Sequence, residues 1–138
     1  MSVILSYVFK TNLAGLRSAI VDDNTDRICR ILDVERSYLN RVIDGDGNTA
    51  LLLAIKHASP LTVRLLLEHG ANPNCQTRAS QSTPLHRAIM FNNIDAIRAL
   101  LEYKADVTLK DIDGQTPIEK AMTVNNEITN ILLQSQKT

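Results

Sequence analysis

Residues 82–111 read STPLHRAIMFNNIDAIRALLEYKADVTLKD, and both halves of this stretch recur along the chain. TPLHRAI at 83–89 is matched by TALLLAI at 49–55 and TPIEKAM at 116–122, so Thr49, Thr83 and Thr116 stand 34 and 33 residues apart. Further on, ALLEYKADVT (99–108) answers LLLEHGANPN (65–74), with a shortened ILLQSQ at 131–136. Self-similarity at such a period marks a repeat architecture, in which each unit buries its apolar side only against its neighbours. A chain given over to such units builds an extended surface, and surfaces of that kind bind other proteins.

Each residue of the phrase has a physical task. Thr83 and Thr116 are suited to cap a helix, their hydroxyls accepting from free amides of the first turn. Pro84 and Pro117 then fall at the first helical position, where no amide donor is missed. Ala54, Ala88 and Ala121 are small where paired helices approach closely, and Leu65, Leu66, Ile97, Leu100 and Leu101 form an apolar stripe at helical spacing. Gly70 follows the second helix, where a left-handed residue is wanted. Lys104 at the equivalent place must adopt that conformation at some cost, or end its helix differently.

An earlier unit precedes these. LRSAIVDDNTDRICRIL (16–32) aligns without a gap on LHRAIMFNNIDAIRALL (85–101), although it lacks the threonine phrase and puts Arg27 at a normally apolar position. Terminal repeats are expected to be atypical, because one face meets water. The count is four: an N-terminal segment with a degenerate capping repeat (1–43), repeats at 44–77 and 78–110, and a C-terminal capping repeat at 111–138 that loses about one residue between its helices.

Residues 44–136 resemble the ankyrin repeat family, whose pattern runs T-P-L-H-x-A, a second helix ending in L-L, then G-A-D-x-N. Thr83, Pro84, Leu85, His86, Ala88, Leu100, Leu101, Ala105 and Asp106 match it, while Lys104 and Thr108 depart from it. The second unit keeps Gly70, Ala71 and Asn74 but has Ala50 and Leu52 for the proline and histidine; the fourth keeps Thr116, Pro117 and Ala121. The resemblance implies an all-α solenoid of stacked helix-turn-helix units joined by β-hairpin-like loops. It also implies that His86 hydrogen-bonds between neighbouring loops, and that hairpin tips and exposed first-helix residues share a concave face.

Composition narrows the function. Fifteen basic residues balance fifteen acidic ones, and residues 1–46 already mix six with seven, so no basic face for nucleic acid is expected. Lys-rich runs for membrane surfaces are missing. The apolar VILSYVF at 3–9 is too short for a bilayer and lacks the basic region of a signal peptide. Cys29 and Cys75 lie far apart, which suits free thiols in cytosol or nucleus better than a disulfide framework.

No catalytic or metal-binding pattern stands out, so neither enzyme activity nor a cofactor is expected. DGDGNT (44–49) begins like a calcium loop, but Thr49 and Ile55 occupy the places of the required glycine and glutamate, leaving a hairpin turn as the reading. His57, His69 and His86 have no second ligand at metal spacing, and His69 is expected as a solvent-facing last-turn cation. Cys29 paired with a distant histidine has no supporting context as a nucleophile. Asn74 resembles the family asparagine that some hydroxylases modify, yet Asn72 and Pro73 depart from the preferred context, and a side chain bridging the turn backbone is expected.

The alignment exposes Val21 and Asp22, Lys56 and His57, Met90 and Phe91, and Thr123 and Val124 on the first helices. The tips offer Gly45, Asp46 and Asn48, then Ala79, Ser80 and Ser82, then Ile112, Asp113 and Gln115, with Gln76 and Lys110 beside them. Most of these are ordinary polar surface. Met90 and Phe91 are not, since the family keeps polar residues there, and Ile112 extends them. The expected contact set is Met90, Phe91 and Ile112, rimmed by His57, Lys56, Asp113, Lys110 and Asp46. A protein partner, bound by an adaptor or an occluding inhibitor, follows. The alternatives are a kinase or Rel-type transcription factor inhibitor, or a structural subunit. The chain is expected to be monomeric alone, with residues 1–10 closing the core or providing self-association.

Overall fold

The computed structural model describes residues 13–137, and the chain divides into two compact units between Ala71 and Asn72. The first holds the helical residues 13–21 (α1), α2 (Thr25–Val34), a 3₁₀ turn (Arg36–Asn40), α3 (Ala50–His57) and α4 (Pro60–Glu68). The second holds α5 (Pro84–Met90), α6 (Ile94–Glu102), α7 (Pro117–Val124) and α8 (Asn126–Ser135). Each unit is two helix-turn-helix repeats. Among the described residues the fold is all-α, with one isolated antiparallel bridge, Val42 to Thr49, and no strand.

Helices of seven to ten residues do not stand alone in water, so capping and packing must hold them. The capping threonines work as their sequence position suggests. Thr49, Thr83 and Thr116 accept from the amides of Leu52, His86 and Glu119, and the latter two sites close full capping boxes. The second helix of each pair is capped too, by Asn24, Ser59, Asn93 and Asn125. A cap is worth about 1 kcal/mol. Burial of one leucine or isoleucine is worth roughly 1.5–3 kcal/mol, so the core dominates. Leu16, Ile20, Ile28, Leu32, Leu51 and Leu66 fill the first unit, and Leu85, Ile89, Ile97, Leu100, Ile128 and Leu132 the second. Ala54, Ala88 and Ala121 are fully enclosed, which confirms why nothing larger stands there.

The gapless alignment of the first and third repeats extends to backbone detail. Asp23 and Asn92 occupy equivalent places in three-residue turns and adopt φ of 54° and 53°. Each then reaches into the next repeat of its own unit. The Asp23 carboxylate accepts from the Ser59 amide and hydroxyl and from the Thr62 hydroxyl. Those bonds, the one from Thr62 foremost, hold its pKa below the ordinary range. The Asn92 side-chain oxygen Oδ1 accepts from Asn125 Nδ2 at 3.0 Å.

Gly70 ends α4 at φ 98°, and Lys104 meets the same demand after α6 at φ 63°. In the fourth repeat the caps Thr116 and Asn125 stand nine positions apart, against ten for Thr83 and Asn93, so one residue is lost; α7 also runs one residue longer than α5, which leaves Asn125 alone between α7 and α8. His69 departs from expectation: it is half-buried, and its Nδ1 lies 2.8 Å from the Leu65 carbonyl of its own last turn. Cys29 and Cys75 are both half-buried. The roles expected of residues 1–10 fall outside the described residues.

Candidate partner-binding site

The hairpins position the candidate contact residues, and one device builds two of them. Asp44 Oδ1 accepts from the amides of Asp46 and Asn48, while its Oδ2 accepts from Asn48 Nδ2. Sixty-seven residues later Asp111 Oδ1 accepts from the amides of Asp113 and Gln115, and its Oδ2 pairs with Lys120 Nζ at 3.0 Å. Gly47 and Gly114 close these turns at φ 82° and 75°. This is the turn expected of DGDGNT. Burial opposes ionisation of Asp111, but the Gln115 amide and the Lys120 ammonium outweigh it and leave the carboxyl below its ordinary pKa.

The middle hairpin, Thr77 to Thr83, has hydroxyls in place of a carboxylate. Thr77 and Ser80 share a hydrogen bond of 2.8 Å and Ser80 donates to Ser82 at 2.9 Å. It is tied to the hairpin that follows. Ile112 donates its amide to the Ser80 carbonyl, and Gln76 Nε2 donates to the carbonyls of Gln81 and Lys110. His86 completes the junction. Its Nε2 lies 2.8 Å from the Gln115 carbonyl, and its Nδ1 faces the Thr83 amide and hydroxyl. A donor at Nε2 and an acceptor at Nδ1 define one neutral tautomer. Burial pushes the His86 pKa down, against the Gln115 carbonyl and Asp111, which favour the cation.

These ties hold Ile112 out at the tip, 60% exposed, beside a helix end where Met90 and Phe91 are 53% and 42% exposed. Phe91 caps α5 through its backbone amide, and the residue is partly exposed. Between α5 and the tip lies a cleft of about 350 Å³ lined by Met90 and Ile112 together with Ser80, Ser82, Arg87, Asp111, Asp113 and Lys120. Lys110 is exposed beside it and Asp113 forms its outer edge. Phe91 does not line the cleft. The remaining candidates belong to the first unit, where Lys56 and His57 are exposed at the end of α3 and Asp46 at its hairpin tip.

Two tip residues are not surface. Asn48 and Ser82 are buried, because each turns its side chain inward to complete the hydrogen bonds of its own hairpin. Arg87 and Lys120 were missed as cleft residues. Arg87 precedes Met90 by three positions, hence shares its helix face, and Lys120 was findable only as a partner for Asp111. Asn74 Oδ1 accepts from the Asp106 amide at 2.7 Å, which joins the turn after α6 to the loop that opens the unit. Among the described residues no cluster of three His, Cys, Asp or Glu side chains is placed to hold a metal, and no helix is long and apolar enough to cross a membrane.

Paired short helices, threonine-capped first helices and bonded hairpins define a helical repeat protein. A family model for ankyrin repeats (three copies) matches residues 16–111 and again 78–138, and the chain belongs to the ankyrin repeat family. Ankyrin repeat protein FPV031 of Fowlpox virus (strain NVSL) is 48% identical over 116 residues, covering 80% of this chain and 34% of its own length. Ankyrin repeat protein FPV024 of the same virus is 31% identical over 93 residues, covering 67% of this chain and 16% of its own length. Human palmitoyltransferase ZDHHC13 is 30% identical over 94 residues, but the chain covers 15% of it. The chain thus spans about a third or less of these relatives. Ankyrin repeats generally mediate protein–protein interaction, and the repeat region itself is not catalytic.

Proposed function

We propose that this chain is a single ankyrin domain of four repeats, with caps at 1–43 and 111–138, that binds a folded protein partner as an adaptor or occluding inhibitor. The observation that carries this reading is the exposed apolar group Met90, Phe91 and Ile112, the first two at the end of α5 and Ile112 on a hairpin tip fixed by hydrogen bonds. Exposed apolar side chains ringed by polar ones mark interaction sites, and an anchor fixed in advance avoids the entropy cost of ordering it on binding. Asp113 and Lys110 rim this group, while Lys56, His57 and Asp46 offer polar contacts from the first unit. Cytosol or nucleus remains the expected setting, with no nucleic acid, membrane or cofactor required.

Among inhibitor readings, the kinase-inhibitor subgroup has little support. Its members shorten the first helix of their second repeat, whereas α3 has eight residues against seven in α5. The test is a crosslinked pulldown from the native cell, with wild type beside Met90→Lys/Phe91→Asp. A partner captured by the wild type should be weakened by about tenfold or more in the double variant, the loss expected when a central anchor goes. Circular dichroism must show the variant still folded. A partner kept by both proteins moves the site away from these residues, and unfolding of Phe91→Ala would make Phe91 structural.

A further inference from the structure

An aspartate followed by glycine occurs at Asp44-Gly45, Asp46-Gly47 and Asp113-Gly114, and all three pairs lie in the two aspartate hairpins. The pairing is reactive because glycine has no side chain to shield its amide. The nitrogen of that amide can attack Cγ of the preceding aspartic acid. A new N–Cγ bond closes a five-membered cyclic imide, and the carboxyl's hydroxyl leaves with the amide proton as water. Water then adds to the ring carbonyl that was the aspartate's main-chain carbonyl, and the old peptide bond opens. The chain now runs through Cγ, which is isoaspartate. One water leaves and one enters, so no oxidant or cofactor takes part.

Ring closure needs a carboxyl free to swing back and an amide free to meet it, and the three pairs differ in both. Asp44 lacks the first. Its Oδ1 is held by the amides of Asp46 and Asn48 at 3.0 and 2.9 Å, and its Oδ2 by Asn48 Nδ2 at 2.8 Å. Burial opposes ionisation of Asp44, but the bonds from Asn48 outweigh it and keep the carboxyl below its ordinary pKa. Little of the reactive acid form is then present. Asp113 lacks the second. Its carboxylate is exposed and has no donor among the described residues, but the Gly114 amide donates to the Asp111 carbonyl at 3.0 Å. Asp46 has both. Its exposed carboxylate is likewise without a donor among the described residues, and the Gly47 amide reaches the Asp44 carbonyl only at 3.5 Å. That is beyond the ordinary range of about 2.7–3.2 Å. A side chain at Gly47 would meet no atom within 4 Å, so a ring there has room.

We propose that Asp46-Gly47 is a site of spontaneous isoaspartate formation in the folded protein, in a hairpin that protects Asp44 while leaving Asp46 open. The product inserts one methylene between the two amides that Asp44 holds, those of Asp46 and Asn48. It also moves the Asp46 carboxylate at the tip, but the proposal requires no partner there and is independent of Met90, Phe91 and Ile112.

The experiment ages the folded full chain at mildly acidic pH and digests it with trypsin. Peptides 42–56 and 111–120 carry the three pairs, and electron-transfer fragmentation tells isoaspartate from aspartate at each position. Isoaspartate should appear at Asp46 about tenfold faster than at Asp113, the factor set by one hydrogen bond that must first break. Asp44 should be the slowest. In urea the three rates should converge, since only the folded hairpins separate them. Asp46→Glu, whose ring would have six members, should remove the product there and leave the rate at Asp113 unchanged. Isoaspartate forming at Asp44 or Asp113 as fast as at Asp46 in the folded chain overturns the proposal. So does a ranking that persists in urea, or an Asp46 that reacts in urea and not in the folded chain.

Discussion

The hairpins at 44–49 and 111–116 solve the same problem in the same way, whereas the one at 77–83 solves it differently. In the first two, one aspartate gathers two backbone amides and a side-chain donor, and a glycine supplies the left-handed turn. The third is one residue longer, uses Thr77, Ser80 and Ser82, and places Gln81 at φ 53° where the others have glycine. A carboxylate concentrates the turn's stability in one group. Hydroxyls spread it over three, and tolerate an extra residue and a strained one. The aspartate loops should therefore break sharply under single substitution, and the hydroxyl loop gradually.

Asp111→Ala should have the largest effect. It leaves the amides of Asp113 and Gln115 and the half-buried Lys120 ammonium without their acceptor, a loss of about 3 kcal/mol, measured as a fall in the urea midpoint. Asp44→Ala, with neutral donors only, should cost less, on the order of 1–2 kcal/mol. Equal losses would mean that the Lys120 pair adds nothing.

The next effect depends on pH. Folding holds the His86 pKa below its ordinary value of 6.5, so between the two values the unfolded chain binds the extra proton. Stability should accordingly be complete above about 6.5 and decline as pH falls from there through the folded-state pKa. Melting temperature should drop between pH 7 and 5. His86→Gln, which keeps a donor for the Gln115 carbonyl, should flatten that slope; an unchanged slope would place the responsible group elsewhere. The smallest change has the opposite sign. Gln81→Gly should stabilise the middle hairpin by about 0.5 kcal/mol through relief of its left-handed strain, so that a loss would show the glutamine side chain itself to be needed.

Much of this was legible in the sequence because helix ends are specified locally. Thr83 followed by Pro84, or Thr116 with Glu119 three residues on, fixes a cap without reference to anything distant. The gapless match of 16–32 with 85–101 went further, since it aligned Asp23 with Asn92 and Asn24 with Asn93 before either pair showed the same turn and cap. What stayed hidden depends on pairs far apart in the chain. Asn48 and Ser82 looked like tip surface until their hairpins closed around them. Nothing in the phrase LLLEHG said that His69 would fold back onto Leu65. At the candidate site, Met90, Phe91 and Ile112 could be named from the repeat register, but the cleft joining Met90 to Ile112 could not. Its walls come from α5 and the following hairpin, and Lys120 enters only because Asp111 draws it there.

The interhelical residues Asp23 and Asn92 carry one more consequence. Each hydrogen-bonds the residue that caps the second helix of the following repeat, Ser59 and Asn125 respectively. The second and fourth repeats are thus not interchangeable bricks but shingles, each pinned by the repeat before it in its own unit. Cutting at the borders that the sequence period suggests would leave the downstream helix short of a fastening. A truncation or graft that keeps the preceding turn should hold together better than one cut at Thr49 or Thr116.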